Sequence, residues 1–107
     1  MEIEKKKERG FLILTLFVDI NVENSILLDT YFQQAIDDNE MNIIVNFSNI
    51  SYVGSSGIGV LARRFRQLRE KNGTVILAGC NDSIRRIFEL INFQSFFKIF
   101  SKLEDAF

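Results

Sequence analysis

The sequence predicts an α/β domain on a mostly parallel, mixed sheet of about five strands, and three observations carry that prediction. Nearly continuous apolar runs, FLILTLFV at 11–18, MNIIVNF at 41–47 and TVILAG at 74–79, read as strands buried on both faces. The segments between them place apolar residues at i, i+3, i+4 and i+7, the spacing of an amphipathic helix. Alternation of the two patterns implies crossovers between parallel strands, expected to be right-handed. The expected order is β-β-α-β-α-β-α-β-α, with residues 1–107 forming one domain.

Residues 2–7 are charged and suit an edge strand, and Gly10 permits the turn into the first apolar run. Asn24 or Ser25 is the expected cap of a helix reaching about Asp38, with Leu28, Tyr31, Phe32 and Ala35 as its apolar face and Ile36 alongside. Asp37, Asp38 and Glu40 read as its ordinary polar end. After the strand at 41–47 comes SNISYVGSSG, a loop rich in Ser, Asn and Gly. The next helix is expected to start at Ser55 or Ser56 and reach about Lys71, burying Ile58, Leu61, Phe65 and Leu68. Its Gly57 and Gly59 are both expected to pack close to the sheet. Asn72-Gly73 is a strong stop, because both residues accept the left-handed conformation that ends helices. Asn81, Asp82 and Ser83 offer caps for a third helix through Ile91, with Ile84, Ile87, Phe88 and Ile91 on one face and Asn92 as its stop. A short strand at 96–100 and a last helical turn at 102–107, capped by Ser101, complete the chain.

Composition removes several function classes. A net charge of −1 argues against general nucleic-acid binding, which needs a basic surface to neutralise phosphates. The chain has no His, so Ser-His catalysis, His general bases and His metal ligands are excluded together. Cys80 stands alone, so no internal disulfide forms; a buried structural thiol and a cytoplasmic setting are expected. With one Cys and no His, neither a zinc site nor a cofactor is expected. No apolar run reaches the roughly 18 residues of a membrane span, and the stretch after the charged start reads as a strand rather than a signal peptide.

The informative segment runs from Asn46 to Leu61, a strand, a polar loop and a helix start. Free N–H groups in a first helical turn favour an anion or a hydroxyl there. Ser55 and Ser56 thus stand at the carboxyl end of a strand, where ligands bind in α/β sheets. The segment matches none of three glycine-based enzyme motifs. It has no Gly-Lys pair for a P-loop, Gly54, Gly57 and Gly59 have the wrong spacing for a dinucleotide fingerprint, and a nucleophile elbow would need Gly where Ile58 stands. Read from physics alone, Ser55 is a helix cap. No catalytic residue is expected.

Val53-Gly54-Ser55-Ser56-Gly57-Ile58-Gly59-Val60-Leu61 resembles the signature of the STAS family. The likeness continues through Lys71-Asn72-Gly73, Val75-Ile76-Leu77-Ala78-Gly79 and Ile84-Arg85-Arg86-Ile87-Phe88-Glu89-Leu90, and ends in residues 97–107. The resemblance implies a bacterial anti-sigma factor antagonist. Such a protein has no enzymatic activity. It binds an anti-sigma factor serine kinase and frees a sigma factor, until the kinase phosphorylates the first Ser of the pair; a PP2C-type phosphatase is the implied opposing partner. Carried to this chain, the phosphorylated residue is Ser55, with Ser56 the adjacent candidate. The implied partner surface comprises Asn21, Gly54, Ser55, Ser56, Gly57, Arg63 and Arg66. The chain departs from the family pattern where Gly54 and Asn46 replace Asp, and where Asn21, beside Asp19, replaces an acidic residue. Arg63, Arg64, Arg66 and Arg69 read either as a solvated helix face or as a docking patch for an acidic surface. Phe93, Phe96, Phe97 and Phe100 read mostly as core, with room for a spare ring at an interface. Two other roles fit the same resemblance: a STAS subunit of a lipid or ABC transport complex, and a module binding a small ligand through the same loop.

Overall fold

The computed structural model describes residues 2–107. Five strands form one sheet in the order β1-β2-β3-β4-β5: β1 (Ile3–Glu8), β2 (Phe11–Leu16), β3 (Asn42–Asn46), β4 (Thr74–Ala78) and β5 (Lys98–Ile99). β1 pairs antiparallel with β2, and every later pair is parallel, so the sheet is mixed as expected. Arg9 and Gly10 make the β1–β2 turn with φ of 54° and 85°. Two positive φ values match the right-handed twist of the flanking strands, which is why a two-residue hairpin loop forms there.

Three α-helices follow β2, β3 and β4: α1 (Val22–Asp37), α2 (Ser55–Glu70) and α3 (Asp82–Leu90). Sequential strand order with crossovers of one hand puts all three on the same side of the sheet. The main core confirms it. Leu28, Phe32, Leu61, Leu68, Ile84 and Phe88 from the helices meet Leu14, Leu16, Ile43, Val45 and Leu77 from alternate strand positions. The intervening positions, Ile13, Ile44, Ile76 and Ala78, point to the opposite face, where the chain's own end covers them through Leu103, Ala106 and Phe107. That cover is a 3-10 turn (Leu103–Ala106) rather than an α-helical one. Phe107 packs edge-on to Phe11 at 5.9 Å, and the Arg9 guanidinium lies 4.8 Å from its ring centre.

Several element ends differ from the sequence reading. α1 starts at Val22, because Asn21 is its cap and accepts from the Asn24 N–H at 2.8 Å. Asn24 instead turns its amide onto the Asp19 carbonyl. The strand expected at 96–100 shrinks to Lys98–Ile99, since a 3-10 turn (Phe93–Ser95) first swings Phe93 and Phe97 into the core. Asn72 and Asn92 take the left-handed φ expected of helix stops, 62° and 61°. Gly73 keeps an ordinary φ, and is constrained by the Met41 carbonyl lying where a Cβ would stand. Gly57 and Gly59 part company: Gly57 is pressed against Ile20 and Val53, whereas nothing approaches within 4 Å of a Cβ on Gly59. The expectation that Gly59 packs on the sheet is therefore wrong, because two residues along a helix turn about 200° from one another.

Candidate functional site

Parallel pairing makes β2, β3 and β4 end on the same edge, so the loops leading into α1, α2 and α3 gather there. Hydrogen bonds lock the first two loops together. The Asp19 carboxylate accepts from the backbone N–H groups of Ser51 and Tyr52 at 2.9 and 3.2 Å. Beyond it, Ile20 and Val53 form a parallel bridge: Ile20 N–H donates to the Tyr52 carbonyl at 3.0 Å, and Gly54 N–H to the Ile20 carbonyl at 2.8 Å. The third loop joins through the Asn81 amide, which donates to the Ile50 carbonyl. Beneath the loops, buried Asn46 donates to Thr15 Oγ1 and accepts from the Ser48 N–H and hydroxyl. A neutral amide meets these demands without burying a charge.

The locked loops fix the start of α2. Asn21 and Asn81 cap α1 and α3 with side-chain oxygens, but the residue at the cap of α2 is Gly54, which has none. The backbone N–H groups of Ser55, Ser56 and Gly57 consequently find no acceptor among the described residues, and the first intrahelical bond runs from Ile58 N–H to the Gly54 carbonyl. Ser55 is exposed, Ser56 is half-buried and Gly57 is buried. Gly57 was expected within the partner surface; buried under Ile20 and Val53, it supports the helix start instead of facing outward. Tyr52 stands beside Gly54, its hydroxyl 3.3 Å from where a Cβ would sit.

Ser56 and Gly59 line a shallow groove between α1 and α2, facing Val22, Ser25 and Ile26. Val22 and Ile26 are 66% and 65% exposed, an unusual state for β-branched apolar side chains one helical turn apart. These two on the groove, and exposed Tyr52 beside Gly54, are what the sequence reading missed. The available signal was that both stand off the apolar stripe of α1 defined by Leu28, Phe32 and Ala35.

The arginines of α2 divide into two sets. Arg64 is only 8% exposed, which corrects its reading as part of a solvated or docking face. Its Nε donates to the Asp29 carboxylate at 2.8 Å, and its Nη atoms to Gln33, Gln67 and the Asp29 carbonyl. Exposed Arg63 joins the same carboxylate at 3.1 Å and edges the groove that Ser56 lines. The hydrogen bond from Arg64 holds the Asp29 carboxyl below the usual carboxylate range, against the opposing effect of burial, and both arginine charges assist. Arg66 and Arg69 lie on another face of α2, beside Phe65, Phe93 and Phe96. The structure thus brings Asn21, Gly54, Ser55, Ser56 and Arg63 to one region and leaves Arg66 outside it.

Cys80 is the chain's one cysteine. It is buried, and burial pushes its thiol up to about 12, against the opposing effect of the Arg85 charge. Among the described residues no helix is long and apolar enough to cross a membrane.

The STAS domain matches this chain over residues 2–106. BtrV of Bordetella bronchiseptica is 26% identical over 106 residues, 99% of this chain and 91% of that protein. The anti-sigma F factor antagonist of Paenibacillus polymyxa is 26% identical over 91 residues, 84% of this chain and 78% of that one. Among solved structures, the anti-sigma factor antagonist SpoIIAA superposes in its unphosphorylated form with a TM-score of 0.76 at 23% identity, covering 97% of this chain and 92% of that one. The phosphorylated form of SpoIIAA, from Bacillus, gives 0.75 at the same identity, with 97% and 95% covered.

Proposed function

The chain belongs to the STAS family, and from that premise we propose that it is an anti-sigma factor antagonist, a protein-binding regulator switched by phosphorylation of Ser55. On this reading residues 1–107 are one STAS domain acting in the cytoplasm without enzymatic activity of its own. It binds an anti-sigma factor serine kinase through the start of α2 and the neighbouring groove, with Asn21, Gly54, Ser56 and Arg63 around Ser55 and with Val22, Ile26 and Tyr52 as apolar contacts. The kinase transfers the γ-phosphoryl group of ATP to Ser55 Oγ, the hydroxyl proton leaves, and ADP is released. A PP2C-type phosphatase hydrolyses the ester and restores the binding form.

The observation that carries the reading is the exposed serine at the one uncapped helix start of the three. Exposure favours Ser55 over half-buried Ser56 as the kinase's acceptor. The phosphate adds about −1.5 to −2 charges. In the free domain the open N–H groups and the helix dipole accommodate an anion, by about 0.3–1 kcal/mol. Against a packed partner the same charge must be desolvated without a matching cation, and a misplaced interface charge costs several kcal/mol. A single group is therefore tolerated by the fold and rejected by the interface, which is what a binding switch requires. The relatives' names support the same role, as does a fold shared with phosphorylated and unphosphorylated SpoIIAA.

Incubating the protein with the anti-sigma factor kinase of its own organism and ATP, followed by peptide mapping, tests this reading. One phosphate on Ser55, lost in Ser55→Ala, is expected. Phosphate confined to another residue, or no complex with the kinase before phosphorylation, would overturn it.

A further inference from the structure

On the face of α2 turned away from Ser56, the helix and the turn before β5 enclose a groove of about 310 Å³. Phe65, Phe93 and Phe97 form its base, with ring centres 4.5 Å apart for Phe65 and Phe97 and 4.7 Å for Phe93 and Phe97. Phe93 and Phe97 are buried, whereas Phe96 stands at the edge 61% exposed. Arg66 and Arg69 line the same groove. Unlike Arg63 and Arg64, which share Asp29, neither forms an ion pair among the described residues, although Glu70 neighbours them.

We propose that this groove binds a small amphipathic carboxylate, an aryl or medium-chain acyl acid, with its apolar part on the phenylalanines and its carboxylate between Arg66 and Arg69. The inference is independent of the switch at Ser55. Residues three apart on a helix are side by side, so the two guanidinium groups reach one anion together. Guanidinium matches carboxylate geometry with paired hydrogen bonds and is weakly hydrated, which suits it to an apolar margin. A neutral apolar ligand would leave two like charges facing each other, and a polar anion would leave the aromatic base bare; an amphipathic acid satisfies both. Size selects a small molecule over a docked helix. The volume is at the lower end for ligand sites, and the wall from Ala62 to Arg69 is seven helical steps, about 10 Å long.

Octanoate, naphthalene-2-carboxylate and the neutral octan-1-ol are suitable probes, titrated below any micellar range into isotope-labelled protein and followed by amide chemical shifts. Both acids are expected to give saturable shifts confined to the second half of α2 and to residues 93–97. Octan-1-ol should bind at least tenfold more weakly. The double variant Arg66→Gln with Arg69→Gln should lose at least tenfold in affinity for the acids, and Phe96→Ala should weaken all three probes. All three positions are exposed, and an unchanged unfolding midpoint checks that each variant folds. The proposal is overturned by shifts that do not saturate, by shifts elsewhere, by equal affinity for acid and alcohol, or by acid binding that survives the double variant. It is equally overturned if the acids fail to bind while the double variant weakens binding to the kinase, since the groove would then belong to a protein interface.

Discussion

Replacing Gly57 and Gly59 separately with Ala should change stability in opposite directions, although both are glycines of the same helix within one turn. A Cβ on Gly57 would stand 2.6 Å from Ile20 Cγ2 and 3.0 Å from Val53 Cγ1. Both neighbours are buried β-branched side chains, stiff at χ1, and they belong to the bridge that fixes Gly54. They cannot yield without moving backbone, so overpacking costs about 1–3 kcal/mol. Helix propensity returns about 0.8–1 kcal/mol for Gly to Ala, leaving Gly57→Ala destabilised by roughly 0–2 kcal/mol. Gly59→Ala meets nothing within 4 Å and gains the propensity term alone. The two variants should thus differ by about 2 kcal/mol, or some 8 °C in thermal midpoint for a domain of this size. Urea and thermal unfolding of both variants beside the parent give the measurement. Equal shifts, or Gly57→Ala the more stable, would refute the packing of α2 on Ile20.

Other expectations follow from single groups. Arg64→Met takes the donor from the Gln33 and Gln67 amide oxygens and leaves the Asp29 carboxylate to Arg63 alone, and should cost about 2 kcal/mol, below the full value for a buried pair because Asp29 is partly exposed and keeps that second partner. The lowered Asp29 carboxyl contributes stability that is fully present above its unfolded value near 3.8 and fades as pH falls through its folded value. Acid unfolding of Arg64→Met should accordingly lose part of that pH dependence, which titration between pH 6 and 2 would reveal. Cys80, raised to about 12, should resist a disulfide dye at pH 8 in the folded protein and react in denaturant, so prompt native labelling would contradict its burial. Gly54→Asp, at an ordinary φ of −82°, should leave stability within about 0.5 kcal/mol, since capping gains little over Gly and Tyr52 must give slightly; a larger loss would show that the loop admits no side chain there.

The strands and helices were legible because each carries a local signal. Apolar runs marked β2, β3 and β4, and the asparagines at 72 and 92 marked helix ends through their own left-handed conformation. The start of α1 was misplaced because Asn21 and Asn24 have the same capping chemistry, and only the hydrogen bond from Asn24 to Asp19 separates them. Doubly apolar strands implied cover on both faces, but not that the chain's last residues supply it. The Ser55 loop was legible as a motif. What surrounds it was not, since the burial of Arg64 depends on Asp29 thirty-five residues away, and the contrast between Gly57 and Gly59 depends on Ile20. Long-range partners of this kind leave no periodic trace.

The proposed switch rests on a difference in affinity between two forms of one protein. Purified chain, unphosphorylated and phosphorylated at Ser55, should be titrated calorimetrically against the same anti-sigma factor kinase, with unfolding midpoints measured alongside. An interface penalty of about 3 kcal/mol predicts binding roughly a hundredfold weaker for the phosphorylated form, with the fold unchanged. Equal affinity of the two forms, or release that comes only with unfolding, would contradict the account.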